Sequence, residues 1–148
     1  MKQLTVILAL ALLAACAQRD GGTGAKMMAD STNYTTIQWL DSIVDFDSLT
    51  MGKQLKLSFR FRNTGTKPLF LADVTAGCGC TVADYTRGAI APGKEGEVTG
   101  AFDSNKSHPG LVRKSIFVTA NTINGTKHTL IFTGIIKESN QTANQSFK

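Results

Sequence analysis

At 148 residues and a formal net charge of +5, the chain has room for one ordinary domain with its own core. Its charges are interspersed, with no run of five or more of one sign, so the electrostatic footprint of a nucleic-acid binder is absent. Lys2 falls in a segment expected to be removed, which leaves about +4 on the mature chain.

The first fifteen residues read as an export signal. Met1-Lys2 supplies the positive end, Leu4 to Ala15 is apolar but for Thr5, and small residues precede Cys16. The run is too short for a spanning helix, which needs roughly 20 apolar residues. Leu13-Ala14-Ala15-Cys16 resembles the bacterial lipobox. That resemblance implies cleavage before Cys16, a diacylglycerol thioether on its sulfur and acylation of the new amino group. An ordinary signal peptide with a cysteine near its cleavage point is the alternative. Several acyl chains would hold the protein on a membrane permanently, at about 0.8 kcal/mol for each buried methylene. The expected location is the cell envelope, on the outer membrane facing the periplasm or the cell surface; Ala17 is compatible with outer-membrane sorting.

Residues 16–35 show no hydrophobic period and are rich in Gly, Ser, Thr and charge, which predicts a flexible tether spanning about 25 Å. The domain is expected over 36–137. Ile37 to Leu40 and Ile43 to Phe46 form a first strand region. Gln54 to Arg62 alternates apolar and polar without a break, the mark of a half-buried strand. Asn63 to Pro68 has turn chemistry, and Leu69 to Val74 is β-rich again. Val82 to Tyr85, Gly96 to Phe102, Lys114 to Ala120 and His128 to Ile136 follow. They are separated by turns at Ala91-Pro92-Gly93-Lys94, Ser107-His108-Pro109-Gly110 and Asn124-Gly125. Seven or eight short antiparallel strands in about 100 residues predict an all-β, immunoglobulin-like sandwich. Residues 138–148 are polar and read as a disordered tail.

The order Phe59-Arg60-Phe61-Arg62-Asn63-Thr64-Gly65, Pro68-Leu69, Cys78-Gly79-Cys80-Thr81 and Pro92-Gly93 before Val98 and Phe102 resembles a CGCT-motif family. Its members are immunoglobulin-like domains of unknown function common in Bacteroidetes envelope lipoproteins. The resemblance runs from about Val44 to Ile136. It implies fold and compartment, and carries no activity or functional residue with it.

With Cys16 lipidated, Cys78 and Cys80 can pair only with each other or stay free, and an oxidising compartment permits the bond. Gly79 is expected to supply the sharp bend that a bridge across one residue needs. So small a ring adds only about 1.6 kcal/mol by loop entropy, against about 3 for a 15-residue loop. Such a bond is easily reduced, which suits a redox role and equally an incidental bridge. Two thiolates could also hold copper(I), or zinc with His108 and His128 completing four ligands, although the spacing is unlike common zinc patterns. Buried thiols acting as small apolar groups are the plainest alternative. The sole nearby base in sequence is Arg87, so no nucleophile is assigned.

Other patterns are weaker. Gly88 to Lys94 imitates a phosphate-binding loop, but Pro92 removes a needed N–H, Glu95 stands where a hydroxyl belongs, and a strand follows. Asp41, Asp45 and Asp47 lack the spacing of a calcium loop. Lys56, Arg60, Arg62 and Lys67 suit either a polyanion or the wet face of a sheet. Trp39, Tyr34 and Tyr85 are candidates for a sugar-stacking platform. Neither histidine has a Ser, Cys or carboxylate at motif spacing, so no catalytic residue and no cofactor is expected. The sequence favours a non-enzymatic, membrane-anchored module whose loops or sheet edge meet a protein or glycan in the envelope. The alternative is a thiol-dependent metal-binding or redox accessory using Cys78 and Cys80.

Overall fold

The computed structural model describes residues 28–139. The expected export signal, Cys16, the first part of the tether and most of the polar tail lie outside the described residues. Eight strands are present: β1 (Ile37–Trp39), β2 (Ile43–Thr50), β3 (Gln54–Asn63), β4 (Leu71–Ala76), β5 (Thr81–Tyr85), β6 (Glu95–Asp103), β7 (Gly110–Ala120) and β8 (Lys127–Lys137). They form two four-stranded sheets, ordered β1-β3-β6-β5 and β2-β8-β7-β4. This is the expected sandwich.

The strict alternation of β3 sends Leu57, Phe59 and Phe61 inward and Lys56, Ser58, Arg60 and Arg62 to water. Val98 and Phe102 of β6 lie beside them on the same inner face, and the second sheet contributes Ile116, Val118, Leu130, Phe132 and Ile136. Tilted aromatic rings tie the layers together, with Phe102 centred 5.3 Å from Phe132 and 6.1 Å from Phe46. Phe46 lies over Gly134 of β8 so closely that a Cβ there would stand 2.4 Å from the ring. Burying one such side chain contributes roughly 1.5–3 kcal/mol, so these inward positions carry most of the drive to fold.

Two elements depart from the expected scheme. Ile37 to Phe46 is not one strand region, because the chain leaves the first sheet at Leu40-Asp41, where both backbone N–H groups donate to the Arg60 carbonyl, at 2.9 and 3.2 Å. It re-enters as β2 in the opposite sheet, running parallel to β8, so one pair of the sandwich is parallel rather than antiparallel. A bulge between Asp45 and Ser48, with Asp47 at φ 57°, interrupts that pairing.

The tether also ends earlier than Thr35. Asp30 caps a short 3-10 turn at Ser31–Asn33 by accepting from the Thr32 N–H and hydroxyl, and the hydroxyl bond first, then the N–H bond, hold its carboxyl below the usual carboxylate range. Thr35 is buried and pairs with Thr122. Two asparagines explain why this segment docks. Asn63 donates its amide to the carbonyls of Lys67 and Ile90, each at 2.8 Å, and its Oδ1 accepts from Thr35 and Gly65. Asn121 donates to the carbonyls of Asn33 and Pro68 and accepts from the Phe70 N–H. Each side chain is fully buried with its amide N–H groups and carbonyl oxygen bonded, the condition under which burying an amide is tolerated. The loops at this end are thus held to one another by polar cross-links as well as by apolar contact.

Candidate functional site

The outer faces of the two sheets differ in chemistry. On β1-β3-β6-β5 the outward positions are largely polar or charged, and several are paired: Arg60 meets Asp41 at 2.7 Å, Arg62 meets Glu95, and Ser58 donates to Glu97 at 2.8 Å, while Lys56 stands exposed outside these pairs. The Arg60 hydrogen bond holds the Asp41 carboxyl low, and Asp41 in turn raises the guanidinium. Val82 is the exposed apolar side chain on this face. On β2-β8-β7-β4 the outward positions include large apolar side chains that register brings together. Leu111 of β7 lies opposite Ile135 of β8, and Ile131 of β8 lies opposite Ile43 of β2. Phe117 stands diagonal to Ile131, two positions beyond its partner Ser115. Leu111 is 80 % exposed, Ile43 61 % and Phe117 51 %, so these groups reach water without cover from the described residues. The wet face of an antiparallel sheet ordinarily alternates to polar residues at these positions.

The same region holds an open backbone edge. β4 pairs with β7 only from Ile116 to Ala120, and the ladder stops as Gly77 donates to the Ser115 carbonyl at 2.9 Å. From Gly110 to Lys114, β7 has β8 on one flank and no strand on the other among the described residues. Arg113 is exposed on this stretch and Lys114 partly so, the type of charge that keeps an open edge from pairing at random.

The cysteine loop sits where β4 ends. Cys78, Gly79, Cys80 and Thr81 form a tight turn in which the Thr81 N–H donates to the Cys78 carbonyl at 3.3 Å, and a disulfide joins Cys78 to Cys80 with Cα atoms 5.3 Å apart. Cys80 is buried at 5 % exposure and anchored by its carbonyl, which accepts from the Asp103 N–H. Cys78 is partly exposed. The buried Thr81 hydroxyl lies 3.7 Å from the Cys78 sulfur and 3.8 Å from the Cys80 sulfur, within reach of both. The chain bends sharply at Gly79 without entering the left-handed region, and, its two chain neighbours aside, a Cβ built there meets nothing within 4 Å. The ring is therefore open on its solvent side.

Residues 37–136 match the family model described as a protein of unknown function, DUF1573. The chain belongs to the DUF1573 family. No curated protein matches it. Among solved structures, a protein of unknown function from Porphyromonas gingivalis W83 is similar at a TM-score of 0.62 and 19 % identity, over 72 % of this chain and 49 % of that one. The PapD-like domain 7 of human CEP192 is similar at a TM-score of 0.55 and 13 % identity, over 72 % of this chain and 89 % of the other. The VesB protease of Vibrio cholerae reaches 0.56 at 15 % identity, with 34 % of its length covered. These likenesses establish the sandwich fold. The chain spans about half of the Porphyromonas protein.

Within this DUF1573 domain the remaining candidates are scattered. His108 lies exposed in the loop before β7, whereas His128 opens β8. Gly110 pairs with Ile136 and Val118 with His128, so His108, just before Gly110, and His128 lie towards opposite ends of one ladder whose paired positions 110 and 118 are about 26 Å apart at about 3.3 Å per residue. They cannot complete one four-ligand site with Cys78 and Cys80, and no cluster of three His, Cys, Asp or Glu groups able to hold a metal occurs among the described residues. Asp45 accepts from the Asp47 N–H in the β2 bulge, while Asp41 is engaged by Arg60. Arg87 lies over the Tyr85 ring and pairs with Asp84 at the far end of β5 from the cysteines, and the Tyr85 N–H and Arg87 bonds hold the Asp84 carboxyl low. Lys67 donates to the Thr32 carbonyl.

The aromatic candidates do not share a platform. Trp39 packs edge-on against Phe61 at 5.2 Å and beside His128 at 5.9 Å, on β1, whereas Tyr85 lies on β5 at the opposite edge of the sheet. Tyr34 donates its hydroxyl to the Met28 carbonyl. The loop from Gly88 to Lys94 is a turn clamped to Asn63, with Gly93 donating to the Asn63 carbonyl and Asn63 to that of Lys94. A shallow hollow beside Tyr85 and Glu97 has a volume of about 200 Å³, below the roughly 300–1,000 Å³ of small-molecule pockets. The register-driven apolar face and the open β7 edge are invisible to composition; pairing Leu111 with Ile135 requires knowing the β7–β8 register.

Proposed function

We propose that the chain is a lipid-anchored, non-enzymatic envelope module that binds a partner protein through the outer face of β2-β8-β7-β4 and the adjoining edge of β7. The observation that carries this reading is the contrast between the two outer faces: one polar with several ion pairs, the other bearing Leu111, Ile135, Ile43, Ile131 and Phe117 in register. Apolar groups held on a rigid sheet gain when another protein covers them, and an adjacent open edge offers backbone bonds to an added strand. A glycan, which is met by stacked aromatics and polar groups, fits this face less well. In this reading the Cys78 to Thr81 run marks a CGCT-bearing branch of the family.

The lipid anchor rests on Leu13-Ala14-Ala15-Cys16. Metabolic labelling with a tagged fatty acid should label the wild-type chain and lose the label in Cys16→Ala; an unlabelled wild type overturns it. Binding is tested by placing a photo-crosslinking residue at Leu111 or Phe117, with Arg60 on the opposite sheet as the control, in intact cells. A discrete adduct from the first two positions and none from the third is the expected result. Equal crosslinking from both faces, or none, removes the proposed interface.

A further inference from the structure

We infer that the Cys78–Cys80 disulfide is a redox centre that accepts two electrons from a dithiol, with Cys78 as the attacked sulfur and Cys80 as the leaving one. This goes beyond the binding reading and stands or falls separately from it, because it uses none of the residues on the apolar face.

Four observations converge on the same turn. The ring spans a single intervening residue, so its closure restrains the unfolded chain little and reduction forfeits little. The two sulfurs differ in access: Cys78 is partly exposed, and Cys80 is buried in the core and held by its backbone bond to Asp103. The residue between them is glycine although its backbone lies outside the left-handed region, and a Cβ at Gly79 would meet no neighbour within 4 Å. Glycine there leaves empty a space between the two flanking cysteines that a larger side chain would occupy. Finally, the Thr81 hydroxyl is buried within hydrogen-bonding reach of both sulfurs. A thiolate released beside it gains a charge-assisted hydrogen bond that a disulfide sulfur, a weak acceptor, does not.

A thiolate of the incoming dithiol bonds to the Cys78 sulfur while the Cys78–Cys80 bond breaks, its electron pair passing to Cys80 as a thiolate that accepts from the Thr81 hydroxyl. The second thiol of the dithiol loses its proton and attacks the first, which expels Cys78 as a thiolate. The dithiol leaves as a disulfide, and its two protons end on Cys78 and Cys80. Two electrons have moved into this protein, and an electron-accepting disulfide run through the same steps in reverse restores the ring.

The test uses the full chain with Cys16→Ser, so that only two cysteines react. Wild type, Gly79→Leu and Thr81→Val are equilibrated with dithiothreitol–disulfide buffers, quenched with an alkylating agent and read by intact mass, with thermal unfolding recorded for each. The wild type should reduce reversibly while folded. Gly79→Leu should reduce more slowly, by about tenfold, at unchanged unfolding temperature, as expected of shielding. Thr81→Val should shift the buffer ratio at half-reduction toward stronger reductant and move the pH profile of Cys80 alkylation upward. In single-cysteine variants treated with glutathione disulfide, the free thiol of Cys80→Ser should form a mixed disulfide, releasing one reduced glutathione, about tenfold faster than that of Cys78→Ser, because access controls the exchange. A wild-type ring that reduces only on unfolding overturns the proposal, as do equal rates for Gly79→Leu and wild type.

Discussion

The hydroxyl of Thr35 donates to the side-chain oxygen of Asn63 at 2.9 Å, buried and across 28 positions of sequence. This bond joins the segment leading into the domain to the end of its central strand. Truncation should report it. A chain beginning at Met28 is expected to unfold with the stability of the full chain, whereas one beginning at Ile37 loses the Thr35 hydroxyl, its pairing with Thr122 and the Asn33 carbonyl that Asn121 uses. Each buried polar group left unmet costs about 1–3 kcal/mol, so the shorter chain should lose at least about 3 kcal/mol in denaturant titration. Equal stability of the two chains would show that residues before 37 are not part of the domain.

Asn63→Ala should destabilise more than any surface change on the same strand. It removes the side-chain partner of the Lys67 carbonyl, the Gly65 N–H and the Thr35 hydroxyl together, and leaves the Ile90 carbonyl with the Leu69 N–H alone. A loss of about 3 kcal/mol or more is expected. Ser58→Ala, outward on the same strand, removes one exposed bond to Glu97 and should stay within about 0.5 kcal/mol of wild type. Chemical denaturation of both variants separates the buried network from strand propensity.

Gly65 stands against the same junction. A Cβ there would lie 2.1 Å from the Thr35 hydroxyl oxygen and 2.6 Å from the Thr36 nitrogen, and the second of these is backbone that cannot rotate away. Gly65→Ala should therefore cost about 1–3 kcal/mol or more, the range for overpacking. Gly79→Ala, with open space at its Cβ, should cost little. Thermal unfolding of the pair distinguishes steric need from the general effect of adding a methyl group.

Sequence pattern sufficed for what period two encodes. The inward set of β3, the turns and the sandwich class follow from alternation and from Gly, Pro and Asn punctuation. Sheet assignment did not follow, because the Leu40-Asp41 crossover is set by a single backbone acceptor on Arg60, and no composition signal marks it. The buried amides of Asn63 and Asn121 read as ordinary turn residues until the loops they hold are placed around them. The Cys78–Cys80 turn was legible as chemistry, but the Thr81 hydroxyl beside both sulfurs and the empty space over Gly79 are facts of three dimensions.

His128 should make stability depend on pH. Burial disfavours its charged form and sets its pKa below the ordinary 6.5, outweighing the opposing bond to the Gly125 backbone. The Thr122 hydroxyl bonds to the Gly125 carbonyl and lies 2.9 Å from the ring Nε2, so the ring donates there as the neutral tautomer. Between the folded-state value and 6.5 the unfolded chain binds more protons than the folded one, so stability rises with pH through that window and is lost as pH falls through it. Asp30, Asp41 and Asp84, with pKa values below 3.8, act only at lower pH and leave the window clear. The unfolding midpoint should fall between about pH 7.5 and pH 5, and His128→Gln should flatten that slope. An unchanged slope in the variant would assign the dependence to another group.

The apolar outer face should separate stability from binding. Leu111 and Phe117 are more than half exposed, so their replacement by Thr removes little area that folding buries, and each change should stay within about 0.5 kcal/mol of wild type. Thr also suits a strand, so local propensity is preserved. If the face is a contact surface, the double variant should lose the crosslink formed from a probe at Ile135, the register partner of Leu111, while the unfolding transition is unchanged. Val112 provides the contrast, because it is the inward neighbour of Leu111 on the same strand. Val112→Thr should lower stability by about 1–3 kcal/mol, since it sets a hydroxyl against the core, yet leave crosslinking of the folded fraction intact. A stability loss from the outer pair as large as that from Val112 would mean that the exposed groups support the sheet itself, and the binding surface would have to be sought elsewhere on the sandwich.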